Sequence, residues 1–231
     1  MRSLVHFEST IEDLVCFVEG TEPEDVVDAT YAKLNEGVSP VALLEAAALA
    51  VSRSTDLPQS HHGGPVHPVS GLYAIERLAK RNSGAEAFLP IIQIVALANK
   101  HIQSPDMGST AMAEIETSDL EELGKEDLLS GFSTAMAKRI APAAERHLAM
   151  LLKVATPGEI MEAMLQIAIP RNALDDHYFL YTVYAFRALD TVGWEHAEVI
   201  LRPPVRFLCR HPMLEHGEGE RGRIISEGIT L

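Results

Sequence analysis

The chain has 231 residues, of which 47% are hydrophobic, enough to build a packed core. Its formal charge of −14, from 33 acidic residues against 19 Lys and Arg, argues against a nucleic-acid or anionic-membrane surface, because phosphates are held by clustered cations. The start of the chain lacks the basic-then-apolar order of a signal peptide, and no segment has the roughly 18–20 uninterrupted apolar residues that cross a bilayer. Two cysteines, Cys16 and Cys209, are too few for a disulfide framework or a Cys-type zinc site. A soluble protein of a reducing cytoplasm is expected, with small molecules or protein subunits as partners and neither nucleic acid nor membrane.

The apolar runs have helical spacing and helix-type punctuation almost throughout. Ser9-Thr10-Ile11 reads as a cap before an apolar face. Thr21-Glu22-Pro23 places a cap before an N1 proline and opens a helix to about residue 35; Gly37 stops it, and Ser39-Pro40 opens the next, to about residue 53. After a His-Gly-Pro loop, a helix is expected over 69–81, ended by Asn82-Ser83-Gly84. The following segment, 85–102, carries Phe88, Ile91, Ile92, Val95 and Leu97 over several faces, which predicts a central, fully surrounded helix. Ser104-Pro105 marks a connection, Thr117-Ser118-Asp119 opens a short acidic helix, and helices resume over 125–153 with Pro142 kinking or restarting one. Thr156-Pro157-Gly158-Glu159 is a further start signal.

These elements predict an all-α helical bundle over residues 1–213, with 214–231 as a C-terminal arm. Segments 38–103 and 155–213 share an order: apolar helix, histidine-bearing loop, Tyr-Ala helix, Gly-containing break, and an apolar helix ending in a base and histidine. A shift of 110 positions lays His67, Arg77 and His101 on His177, Arg187 and His211, while Tyr73-Ala74 and Tyr184-Ala185 match at 111. Two related halves around a central site are one reading; shared spacings among ten histidines arising by chance are the other.

The densest chemistry lies in Ser60-His61-His62-Gly63-Gly64-Pro65-Val66-His67-Pro68, where three imidazoles sit between residues that allow tight folding and stiffen the approach. Neutral imidazole suits Zn, Fe or Cu, and a nearby carboxylate widens the choice toward harder ions. Asp175-Asp176-His177 offers the matching donors, with N-capping as the plain alternative for the aspartates. His101 and His211 lie near expected helix C-termini, where the dipole would favour a cationic ring without any ligand role. The candidate ligand set is therefore His61, His62, His67, His101, His177 and His211. Asp176 is the candidate to orient an imidazole or handle a proton, and Tyr73 the candidate proton donor. Haem on facing imidazoles is a further option, without a Cys-x-x-Cys-His attachment. His147 and His196 read as surface or supporting residues.

Several standard sites are missing. The sequence has no phosphate-binding Gly-x-x-x-x-Gly-Lys loop, no Gly-x-Ser-x-Gly elbow, no His-Glu-x-x-His and no duplicated Glu-x-x-His of di-iron bundles.

Asp175-Asp176-His177-Tyr178-Phe179-Leu180-Tyr181-Thr182-Val183-Tyr184-Ala185-Phe186-Arg187, with His67-Pro68-Val69-Ser70-Gly71-Leu72-Tyr73-Ala74, resembles the repeated His-then-Ala-helix pattern of questin oxidase-like proteins. The resemblance implies a helical oxidoreductase acting with oxygen on an organic substrate, and assigns no catalytic residue. The expectation is a histidine-ligated mononuclear transition-metal enzyme, redox in preference to hydrolytic. A helical interaction or scaffold subunit with loop and capping histidines is the alternative, and the C-terminal tail is the candidate arm for a homo-oligomer.

Overall fold

A computed structural model describes residues 3–56, 66–107, 111–172 and 176–210. The protein is all-α: ten α-helices account for most of the described residues, and an isolated bridge joins Leu4 to Ala113. The helices are α1 (Ser9–Gly20), α2 (Val26–Asn35), α3 (Pro40–Ser54), α4 (Val66–Arg81), α5 (Phe88–Gln103), α6 (Lys125–Ala137), α7 (Ala141–Val154), α8 (Pro157–Arg171), α9 (His177–Val192) and α10 (Ala197–Leu208). Among the described residues, none is long and apolar enough to cross a membrane.

Local chemistry accounts for most of the boundaries. Pro40 and Pro157 sit in the first turns of α3 and α8, where a missing N–H costs nothing. At α8 the signal is complete. Thr156 accepts from the Glu159 amide, and the Glu159 carboxylate accepts from the Thr156 amide at 2.8 Å. Pro23 does not open α2; a turn over 22–25 precedes Val26 instead. Of the two expectations for Pro142, a kink or a restart, the restart is what the chain adopts. Arg139 adopts φ 62°, and the chain restarts at Ala141 with Pro142 in the new first turn. The acidic segment at 118 forms only one 3-10 turn, Ser118–Leu120.

The central helix is α3, not α5. From Ala46 to Arg53 every α3 residue is buried, whereas α5 buries the Ile91, Ile92, Ile94, Val95 and Ala98 side and leaves Leu89 63% exposed. Alanine explains the difference: short side chains at 46, 47, 48 and 50 let α1, α4, α5, α9 and α10 all approach α3. Larger residues would keep these neighbours apart.

Two buried ion clusters fasten the bundle. Arg53, near the end of α3, donates to Glu12 at 2.7 Å and to Glu19 at 2.6 Å, which ties α1 to α3. Glu145 of α7 accepts from Arg202 of α10 at 3.0 Å and also from Arg206. The second cluster fixes the azimuth of α10 and hence the position of Phe207, which forms part of the site below.

Candidate functional site

Among the described residues the most extensive helix pairing is α4 with α9. The two run in the same direction, because His67 at the start of α4 meets Tyr181 early in α9, while Tyr73 farther along meets Arg187. Both helices begin with a histidine, at their first or second position. Parallel packing in near register therefore brings two first-turn imidazoles together from opposite ends of the sequence.

The rings of His67 and His177 are edge-on with centroids 5.8 Å apart. Tyr181, one turn after His177, places its hydroxyl 3.1 Å from His67 Nε2 and its ring 5.0 Å from that of His177. Phe207 of α10 closes the floor, 5.1 Å from Tyr181 and 5.0 Å from Tyr178. Tyr178 and Tyr181 are each only 2% exposed, while His177 is half-buried and His67 faces outward. The result is a dry aromatic floor with an imidazole rim.

Burial lowers the pKa of His67, and the neighbouring His177 lowers it further. A neutral His67 with its proton on Nδ1 accepts the Tyr181 O–H at Nε2. The positive end of α4 acts in the same sense, against an imidazolium in the first turn. His101, in the last turn of α5, is also held below the ordinary histidine value, mainly by burial and next by the charge of His67. The helix end that should favour a cation there is outweighed by desolvation.

Asp176 occupies the N-cap position of α9 without a side-chain capping bond. Its carboxylate lies 3.3 Å from His177 Nδ1. Tyr73 stands away from the imidazoles, stacked against Arg77 and Arg187. His61, His62, Asp175 and His211 lie outside the described residues, as does the arm at 214–231. Among the described residues, no three His, Cys, Asp or Glu side chains gather closely enough to hold a metal ion by themselves.

His147 and His196 have structural surroundings. His147 Nδ1 donates to the Ala143 carbonyl at 2.8 Å, and its ring lies against the bare Cα of Gly131. His196 sits edge-on to Phe7, 3.7 Å from Glu45. Phe207 is the site residue that sequence reasoning did not single out, and Tyr181, one of four tyrosines able to donate a proton, was passed over for Tyr73. The signal for Tyr181 was present: four positions after His177 it shares that residue's helix face. Phe207 carried none, since only the packing of α10 brings it there.

No protein-family model, no curated protein and no solved structure matches this chain. The fold and the site therefore rest on the chain's own residues.

Proposed function

We propose that the protein is a histidine-ligated metalloenzyme, an oxidoreductase that acts on a small organic substrate at a mononuclear transition-metal ion. The observation that carries the reading is the meeting of His67 and His177, 110 positions apart, at 5.8 Å between ring centres. Two imidazoles sharing one ion at bonds of about 2.0–2.1 Å have ring centres roughly 5 Å apart, so a small rotation of either side chain suffices. His67 and His177 would hold the ion, and since no third donor gathers with them among the described residues, the set would be completed from the candidates His61, His62 and His211. Bound there, Fe, Cu or Zn would supply Lewis-acid polarisation of a coordinated small molecule and, for Fe or Cu, electron exchange with it.

The protein's own groups have definite tasks in this reading. Asp176 orients His177 through Nδ1, as a carboxylate behind a ligating imidazole does. With the ion on His67, the Tyr181 hydroxyl would give up its hydrogen bond to Nε2 and hold its proton beside the site. Tyr178, Tyr181 and Phe207 exclude water from beneath the imidazoles. The likeness of these segments to questin oxidase-like proteins favours redox over hydrolytic chemistry. The free Cys16 and Cys209 accord with the reducing cytoplasm we assign.

A second reading follows from the Tyr181–His67 hydrogen bond, which supplies a proton-transfer pair without any metal. Metal analysis of untagged protein separates the two. The metalloenzyme reading expects about one transition-metal ion per chain, lost in His67→Ala and His177→Ala variants that keep their helical circular dichroism. Metal-free protein whose melting temperature is unmoved by Fe(II), Cu(II) or Zn(II) would sink the metalloenzyme and leave the acid–base pair.

A further inference from the structure

The α4–α9 seam carries a second matched pair of side chains. Arg77 and Arg187 stand ten residues after His67 and His177, roughly 15 Å farther along the helices at a 1.5 Å rise per residue. Both lie against one ring: the guanidinium carbon is 4.7 Å from the Tyr73 centroid for Arg77 and 5.2 Å for Arg187. Two positive charges are thereby held within about 10 Å of each other.

Neither guanidinium forms an ion pair among the described residues, and Glu76, the nearest acidic neighbour of Arg77 in sequence, is taken by Lys80. In a chain with 33 acidic residues for 19 Lys and Arg, two arginines on one ring without an ion pair go against the general supply. Complementing the helix dipole does not explain them. That effect is confined to the last turn, which in α4 is served by Lys80 and Arg81 and in α9 holds no basic residue. Stacking on Tyr73 restricts both side chains, so the planar N–H forks are partly ordered before any ligand arrives.

We propose that Arg77, Arg187 and Tyr73 form an anion-binding site that takes the phosphoryl or carboxylate group of a small molecule. Each arginine presents a fork that matches two oxygens of such a group, and both approach from helices fixed by the same packing that joins His67 to His177. The site stands whether or not the imidazoles hold a metal, because its groups are remote from them.

The test is calorimetric titration of the full chain with inorganic phosphate and, separately, with acetate, at constant ionic strength. Wild-type protein is expected to bind one of the two saturably, one anion per chain, and the tighter one assigns the ligand class. Arg77→Gln and Arg187→Gln should each weaken that binding at least tenfold, and Arg187→Lys, which keeps charge but not the fork, should fall between. Both arginines are exposed, so the substitutions leave the core intact. Absence of saturable binding to either anion, or equal affinity in wild type and both Gln variants, overturns the proposal.

Discussion

Replacing Glu145 by alanine should be among the most destabilising single changes in this protein. Its carboxylate side chain is 8% exposed and serves two guanidiniums of α10, that of Arg202 at 3.0 Å and that of Arg206. The Arg202 side chain is only 4% exposed, and burial already holds its pKa below the usual arginine value. Without Glu145 that cation keeps one carbonyl, Ala113 O at 2.9 Å, and the more distant Glu198 at 3.8 Å. Breaking a buried pair by removing one partner costs about 3–5 kcal/mol; the remaining contacts place this case near about 3 kcal/mol. That is a large part of a total stability of roughly 5–15 kcal/mol, and corresponds to a fall of about 6–12 °C in Tm. Urea unfolding followed by circular dichroism measures it. The double variant Glu145→Leu with Arg202→Met should recover most of the loss, since no buried charge is left alone. A single-variant cost below about 1 kcal/mol, or no recovery in the double variant, would refute the reasoning.

Three further outcomes are expected. A methyl group at Gly131 would overlap His147 Nε2, so Gly131→Ala should displace the ring and cost about 1–3 kcal/mol, with His147→Ala in the same chain restoring much of it; equal stability of Gly131→Ala and wild type would contradict this. His67 and His101 both have folded pKa values below the ordinary 6.5, so between those values and 6.5 the unfolded chain binds more protons. Stability should therefore rise with pH through that interval and be lost as pH falls below about 6.5, with a shallower slope of urea midpoint against pH in His101→Gln; unchanged slopes would count against a depressed His101. Thr156→Ala removes the side chain that accepts at the start of α8 and should cost about 1 kcal/mol, with the loss of amide protection confined at first to that helix.

The sequence by itself determined the class of fold and most helix starts. Those signals are local: a Ser or Thr before proline, an acid three residues on, and apolar residues at a 3.6 period operate within one or two turns. The capping box at Thr156 and the proline starts at 40 and 157 could be read directly. It also marked His67 and His177 as members of matching segments. Tertiary structure decided what no local signal carries. Alanines at 46–50 made α3 the centre, because burial depends on how closely neighbours can approach and not on how apolar a helix is. Parallel packing of α4 on α9 decided which imidazoles meet, put Tyr181 rather than Tyr73 beside them, and brought Phe207 underneath. The same packing set Arg77 and Arg187 on one tyrosine ring. A side chain's partners across a seam depend on helix register and rotation, which follow from the sum of core contacts.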